Sequence, residues 1–137
     1  MSRLSAVRVA VLILLGLCAS AGRAAEPVAR ESISFVIEKF PVQQQGPQVV
    51  DLAVHLDYAP GLSPKDYPDF EVIYHQLETW MTGYPAKNDY WEVFNKRLCQ
   101  DVLAHYPMLA GVTLELTVHP TFGVPYAQTI RTSLTHG

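Results

Sequence analysis

Apolar and polar residues alternate along three stretches of the chain, and a period of two predicts half-buried strands. The alternating apolar positions are, in chain order, Ile33, Phe35, Ile37, Val50, Leu52, Val54, Leu56, Val112, Leu114, Leu116 and Val118. A mixed apolar stretch over residues 126–134 predicts a fourth, returning strand. Residues 41–47 and 120–125 contain proline and glycine, so they predict the loops of two hairpins.

Apolar residues recur at spacings of three and four between the two hairpins, and this predicts two amphipathic helices. The apolar stripes comprise Phe70, Ile73, Tyr74, Leu77, Trp80 and Met81, then Trp91, Phe94, Leu98, Val102 and Tyr106. The first helix is expected over residues 69–81. Asp89 predicts the N-cap of the second helix, Glu92 would complete its capping box, and Pro107 would end it.

The resulting order is ββααββ. Short hairpin loops predict the α+β class: an antiparallel four-stranded sheet with both helices packed on one face. The opposite face would carry the polar side chains of Asp51, His55, Asp57, Glu115, Thr117 and His119. Such a face is either solvated or lines a cavity made with other subunits. The two edge strands need partners, which favours a closed homo-oligomer.

The first 25 residues have the pattern of a secretory signal peptide. Arg3 and Arg8 precede an apolar run over residues 9–19, and small residues at 19–21 or 22–24 offer cleavage sites. The run is shorter than the roughly 20 apolar residues of a membrane span, although an uncleaved anchor is the alternative. We therefore predict a signal peptide (1–25), a polar leader (26–31), one domain (32–137), and a secreted or periplasmic location without membrane attachment after cleavage.

The chain of 137 residues carries 10 basic and 13 acidic side chains and a formal net charge of −3. Because the predicted signal peptide includes Arg3, Arg8 and Arg23, its removal makes the domain more acidic. An acidic domain without a basic run is poorly suited to nucleic acid or to a membrane surface. Cys99 would be the only cysteine left, and its position on the second helix predicts a buried apolar side chain.

Several kinds of site lack their sequence motifs. The histidines, at positions 55, 75, 105, 119 and 136, form no metal-binding pair, and there is no CxxC motif, so no metal site is expected. The chain also lacks a glycine-rich phosphate loop and a nucleophile elbow. No spacing favours Ser-His-Asp chemistry.

Three local segments resemble one enzyme family. Residues 46–57 place Val50 and Asp51 at the start of an alternating strand, residues 91–98 place Glu92 in a helix, and Val-His-Pro at 118–120 ends the third strand. Together with the element order, these segments resemble the dihydroneopterin aldolase family, which belongs to the tunnelling-fold group of pterin and purine enzymes. The resemblance covers residues 32–134.

This resemblance implies a tunnelling-fold-like domain in which Glu92 binds a pterin at a subunit interface. A pterin ring presents adjacent N–H donors along one edge, and a carboxylate can accept both. No cofactor is implied. From the residues alone, the capping box remains a competing role for Glu92.

Two positions depart from the family pattern. His119 stands where the family has a lysine used in proton transfer, and Phe70 replaces a tyrosine at the substrate-binding position. A histidine can act as general acid or base near neutral pH, so His119 is the candidate catalytic residue, with an ordinary solvent-facing role as the alternative. The predicted export also argues against folate biosynthesis, which is a cytoplasmic activity.

The resemblance and its departures predict an exported pterin-binding domain whose aldolase (lyase) activity is reduced or lost. One alternative is a non-catalytic periplasmic domain for oligomerisation or interaction. Another is a working aldolase or epimerase in which His119 replaces the lysine.

Overall fold

Two antiparallel hairpins flank two helices in the computed structural model, which describes residues 27–136. The elements are β1 (Ser32–Gln43), β2 (Pro47–Tyr58), a 3₁₀ turn (Pro64–Asp66), α1 (Phe70–Gly83), α2 (Trp91–His105), β3 (Leu109–Val118) and β4 (Gln128–Thr135). The predicted ββααββ order and α+β class are confirmed. The predicted signal peptide lies outside the described residues.

The four strands form one antiparallel sheet in the order β1-β2-β3-β4. The two hairpins are joined through the central strands, where Leu52 pairs with Leu116 and Val54 pairs with Leu114. Strands β1 and β4 are therefore the edges of the sheet. This arrangement confirms the predicted four-stranded antiparallel sheet.

Both helices pack on the same face of the sheet, α1 against β1 and α2 against β3 and β4. The alternating residues of β2 and β3 are buried beneath them, together with Ile73, Leu77, Phe94, Leu98 and Val102 from the helices. The opposite face carries partly exposed polar side chains, as its alternating pattern predicts. No helix within residues 27–136 has the length and apolar content needed to cross a membrane.

Strand β1 is longer than predicted, because it continues through Pro41 as far as Gln43. A bulge between Ile37 and Phe40 shifts the register with β2, and Lys39 within it has a φ of 51°. An edge strand tolerates proline because one row of its backbone groups has no partner strand. The turn itself is confined to residues 44–46, so the predicted loop over 41–47 is too long.

The start of α2 also differs from the prediction. Its N-cap is Tyr90, whose side chain makes no capping hydrogen bond, and Glu92 is the second residue of the helix. The Asp89 carboxylate instead accepts a hydrogen bond from the Tyr84 hydroxyl, 2.5 Å away. The predicted capping box is therefore wrong, because the contact with Tyr84 takes the acid that would have formed it.

Smaller differences occur at the ends of other elements. Strand β3 begins at Leu109, before the alternating run that starts at Val112, and β4 runs from Gln128 rather than from residue 126. Helix α1 begins after Asp69, whose side chain accepts a hydrogen bond from the Glu71 N–H at 2.9 Å. These shifts leave the topology and the polar sheet face unchanged.

Candidate functional site

Glu92 lies at an open cleft beside the N-terminus of α2. The cleft has a volume of about 350 Å³ and is lined by Gln45, Tyr90, Trp91, Glu92, Gln128, Thr129 and Ile130. The Glu92 side chain is exposed, and within residues 27–136 it makes no hydrogen bond or ion pair. Its carboxylate is therefore available to a ligand.

The position of Glu92 in the first turn of α2 suits a negative charge. The first N–H groups of a helix have no partner within the helix, and the helix dipole places partial positive charge there. Two side chains beside Glu92 are aromatic: Tyr90 is 74% exposed, whereas Trp91 is only 6% exposed. The cleft thus combines a carboxylate acceptor, the carboxamides of Gln45 and Gln128 and an exposed aromatic ring.

His119 lies at a smaller adjoining crevice. This crevice is lined by Gln45, Gln48, Trp91, Val118, His119, Val124, Tyr126 and Gln128. Three of these residues, Gln45, Trp91 and Gln128, also line the Glu92 cleft. The fold therefore brings Glu92 and His119 to neighbouring depressions on one surface, although they are 27 positions apart in sequence.

The imidazole of His119 contacts the carboxylate of Asp51. Nε2 of His119 is 2.9 Å from Oδ1 of Asp51, which is within ion-pair distance. The angles at this contact do not meet the criteria for a hydrogen bond. The same oxygen accepts a hydrogen bond from the Lys39 N–H at 2.8 Å. The Lys39 N–H is the largest influence that lowers the pKa of Asp51, His119 adds to it, and partial burial opposes both.

The backbone also fixes His119. Its N–H donates to the Val49 carbonyl oxygen at 2.9 Å, directly after β3 ends at Val118. The imidazole is about one-third exposed and lines a third cleft that includes Lys39 and Gln48. His119 is therefore not a freely rotating surface residue, because a carboxylate and a backbone bond hold it.

Phe70 lies apart from these depressions within one chain. It is the first residue of α1, is 46% exposed, and packs with Phe35 at a ring-centroid distance of 6.3 Å. It lines neither the Glu92 cleft nor the His119 crevice. The structure therefore brings together two of the three predicted site residues, and Phe70 could join them only from another subunit.

The carboxamide residues of the site carry no sequence signal. Gln45 and Gln128 line both depressions, yet neither belongs to a recognisable motif. Gln45 adopts a φ of 55°, in the left-handed region, at the tip of the β1–β2 turn. Only the adjacent glycine, Gly46, indicated a tight turn at this point.

The structure also aligns a serine, a histidine and an aspartate on the open sheet face. Oγ of Ser34 is 2.8 Å from Nδ1 of His55, and Nε2 of His55 is 3.1 Å from Oδ1 of Asp57. His55 and Asp57 sit on β2, a central strand whose N–H groups are used in strand pairing. The backbone of β2 therefore offers this Ser-His-Asp row no free N–H donors for an oxyanion. The row is not a hydrolytic site.

Residues 27–136 include potential metal ligands and the Cys99 thiol. Across residues 27–136, no three side chains of His, Cys, Asp or Glu are grouped so that they could hold a metal ion. Cys99 is buried, as predicted, and burial raises the pKa of its thiol to about 11. A thiol with such a pKa is largely protonated at neutral pH and is a poor nucleophile.

Sequence comparison with family models and with curated proteins gives no match.

Proposed function

We propose that this chain is an exported pterin-binding domain resembling dihydroneopterin aldolase, with its aldolase activity reduced or lost. The observation that carries the proposal is the position of Glu92. Its carboxylate is exposed at a cleft beside the N-terminus of α2 and has no capping role in its own helix. The competing structural role for this residue therefore no longer accounts for it.

The chemistry of the cleft supports a planar ligand rich in N–H donors. A carboxylate can accept two hydrogen bonds from adjacent donors on the edge of a heterocycle. The exposed ring of Tyr90, beside Glu92, offers an aromatic surface on which such a heterocycle could stack. Together, these groups suit an aminopyrimidinone ring such as that of a pterin.

A site shared between subunits is part of the proposal. Phe70 lies away from Glu92 in one chain, so a second copy would have to supply it. Strands β1 and β4 are edges, and several apolar side chains on the surface, including Val36, Val72 and Phe122, are more than half exposed. Pairing of β1 of one subunit with β4 of the next in a closed ring would give the edge backbone groups hydrogen-bond partners. It would also cover part of this apolar surface.

Reduced aldolase activity follows from the two departures at the site. Phe70 has no hydroxyl group with which to bind or protonate a substrate. His119 carries an imidazole, held against Asp51, where the family has a mobile ammonium group. A ligand held by Glu92 would therefore meet altered proton-transfer groups.

Titration of the purified chain with neopterin, followed by ligand fluorescence, tests the proposal. Glu92→Gln should weaken binding by about 1–3 kcal/mol, because the ring donors lose a charged acceptor. Glu71→Gln is the matched control, since Glu71 is also the second residue of an exposed helix start, in α1. No binding at high micromolar concentration, or equal effects of the two variants, would contradict the proposal.

Light scattering tests the shared site separately. The proposal expects an oligomer of this chain in solution, because a monomer cannot build a pocket between subunits. Neopterin binding by a monomer would retain Glu92 as a ligand-binding residue but would remove Phe70 from the site.

The His119–Asp51 contact favours a second candidate, a working aldolase or epimerase with His119 as the acid or base. A carboxylate beside an imidazole can orient the ring and stabilise its protonated form. Release of glycolaldehyde from dihydroneopterin distinguishes this candidate. If release is observed, His119→Ala should abolish it, whereas His105→Ala should not, because His105 lies at the opposite end of α2 from Glu92.

A non-catalytic interaction domain is supported by the exposed β3–β4 loop. Phe122 is fully exposed at this loop, and Tyr126 is 62% exposed. Failure to bind neopterin, together with an oligomer by light scattering, would favour this function over both pterin-dependent ones.

A further inference from the structure

The Gln45 side chain is held in one orientation by the loop that precedes α2. Its Nε2 donates to the Asp89 carbonyl oxygen at 3.0 Å, and its own N–H donates to the Lys87 carbonyl oxygen at 2.7 Å. Because a carbonyl oxygen can only accept, the nitrogen of the carboxamide must face Asp89. The oxygen, Oε1, is therefore free to accept a hydrogen bond from another molecule, while Nε2 keeps one further N–H.

The loop that sets this orientation is itself fixed. The Asp89 carbonyl oxygen also accepts a hydrogen bond from Nε2 of the buried Gln44, at 2.9 Å, and the Asp89 carboxylate accepts one from Tyr84. Glu92 follows three residues later, at the first turn of α2. Glu92 and Gln45 are thus two acceptors that line one cleft beside this junction.

A neighbouring glutamine shows the same arrangement. Nε2 of Gln48 donates to the Gln45 carbonyl oxygen at 3.0 Å, which leaves its Oε1 as an acceptor at the His119 crevice. The groove from Glu92 towards His119 therefore presents three acceptor groups, those of Glu92, Gln45 and Gln48. A ligand with N–H donors on more than one edge suits this groove. A ligand that places acceptors opposite these oxygens is disfavoured, because both acceptors lose their hydration without forming a hydrogen bond.

We propose that Gln45 is a specificity-determining residue whose Oε1 accepts a hydrogen bond from a second ring N–H, beyond the edge bound by Glu92. This inference rests on the proposed pterin function. In a 7,8-dihydropterin, the ring nitrogen N8 carries a hydrogen, whereas in the oxidised pterin the same nitrogen is an acceptor. The edge facing Glu92 is the same in both compounds, so Gln45 would discriminate between them.

The experiment compares 7,8-dihydroneopterin and neopterin as ligands of the full chain, under argon with a thiol reductant so that the dihydro compound is not oxidised. The wild-type chain should bind the dihydro compound about tenfold more tightly, the upper range for one hydrogen bond. Gln45→Met should bring the ratio of the two dissociation constants close to one. Gln100→Met, an exposed glutamine on α2 away from the cleft, should leave the ratio unchanged.

Gln45→Asn is the second variant, because asparagine tolerates the left-handed conformation of this position and its shorter amide cannot reach the same place. It should also lose the discrimination. An unchanged ratio in a folded Gln45 variant, with binding still dependent on Glu92, would overturn the role of Gln45 alone. Absence of binding by either compound to the wild-type chain would overturn the proposed function and this inference together.

Discussion

The Tyr84 hydroxyl donates a hydrogen bond to the Asp89 carboxylate, and this contact decides how helix α2 begins. The two oxygens are 2.5 Å apart, and Tyr84 is almost fully buried. Asp89 therefore anchors the loop between the helices instead of capping α2, and Glu92 is left without a capping partner. The candidate ligand-binding group is thus exposed as a consequence of packing elsewhere.

Tyr84→Phe should reduce the free energy of unfolding by about 1–3 kcal/mol at neutral pH, because the Asp89 carboxylate loses a donor in a partly buried place. Urea denaturation measures this change. Tyr90→Phe is the control, since Tyr90 is 74% exposed. Equal stabilities of the two variants would contradict a structural role for the Tyr84 hydroxyl.

The contribution of Tyr84 should also depend on alkaline pH. Burial, and then the hydrogen bond to Asp89, raise the pKa of Tyr84 from 10.0 to about 12. A raised pKa stabilises the fold below the unfolded value and loses that effect as pH rises through the folded value. The stability difference between the wild type and Tyr84→Phe should therefore shrink between pH 10 and pH 12.

Asp69→Ala should destabilise the chain by about 1 kcal/mol, because Asp69 is the N-cap of α1 and accepts the Glu71 N–H. Glu92→Gln should cost less than about 1 kcal/mol, since Glu92 interacts only with the dipole of α2. Thermal unfolding of the two variants tests this contrast. A larger loss of stability for Glu92→Gln than for Asp69→Ala would indicate that Glu92 does cap its helix.

Asn95→Ala should cost about 2–3 kcal/mol of unfolding free energy. Asn95 is fully buried, and its Nδ2 lies 3.0 Å from both the Leu114 carbonyl oxygen and the Thr132 hydroxyl oxygen. It therefore ties α2 to β3 and β4. Asn88→Ala, at an exposed turn, provides the control in the same denaturation series, and a similar loss there would contradict the assignment.

Asp51→Asn should lower stability at pH 7 by less than about 1 kcal/mol, because Asp51 is one-third exposed and solvent screens its charge. The pKa of Asp51 is lowered from 3.8, chiefly by the Lys39 N–H and then by His119. A lowered pKa stabilises the fold above 3.8 and loses that effect as pH falls through the folded value. The difference from wild type should therefore disappear in acid.

For this pH series, Glu115→Gln is the control on the same sheet face, because Glu115 has no hydrogen bond or ion pair within the described residues. A pH-independent difference between the wild type and Asp51→Asn would contradict the ionic role of Asp51.

The class and the element order could be predicted because each element has its own hydrophobic period. The alternating residues of β2 and β3 and the three–four spacing of α1 and α2 predict which side of each element is buried, whereas the strand order, with β2 beside β3, came from the structure. Element ends were predicted less well where side-chain contacts and strand register compete with local capping and turn signals. The bulge at Lys39 extends β1, and Tyr84 removes Asp89 from the cap of α2.

The candidate site was predicted only in part. Glu92 and His119 were singled out from local segments, and the fold places them at adjoining depressions. Gln45 carried no sequence signal, since an isolated glutamine fits any exposed turn. Its orientation depends on the Asp89 carbonyl oxygen, 44 positions away, and no local pattern can report such a bond.

The sequence by itself determined the α+β class, the ββααββ order and the polar face of the sheet, because hydrophobic periodicity is a local property that dictates which side of an element is buried. The tertiary structure alone decided where α2 starts, which carboxylate is left exposed and how the Gln45 amide is turned. The start of α2 depends on the contact of Asp89 with the buried Tyr84 inside the interhelical loop. The orientation of the Gln45 amide depends on hydrogen bonds to residues distant in sequence, which form only once the core has brought the hairpin turn and the interhelical loop together.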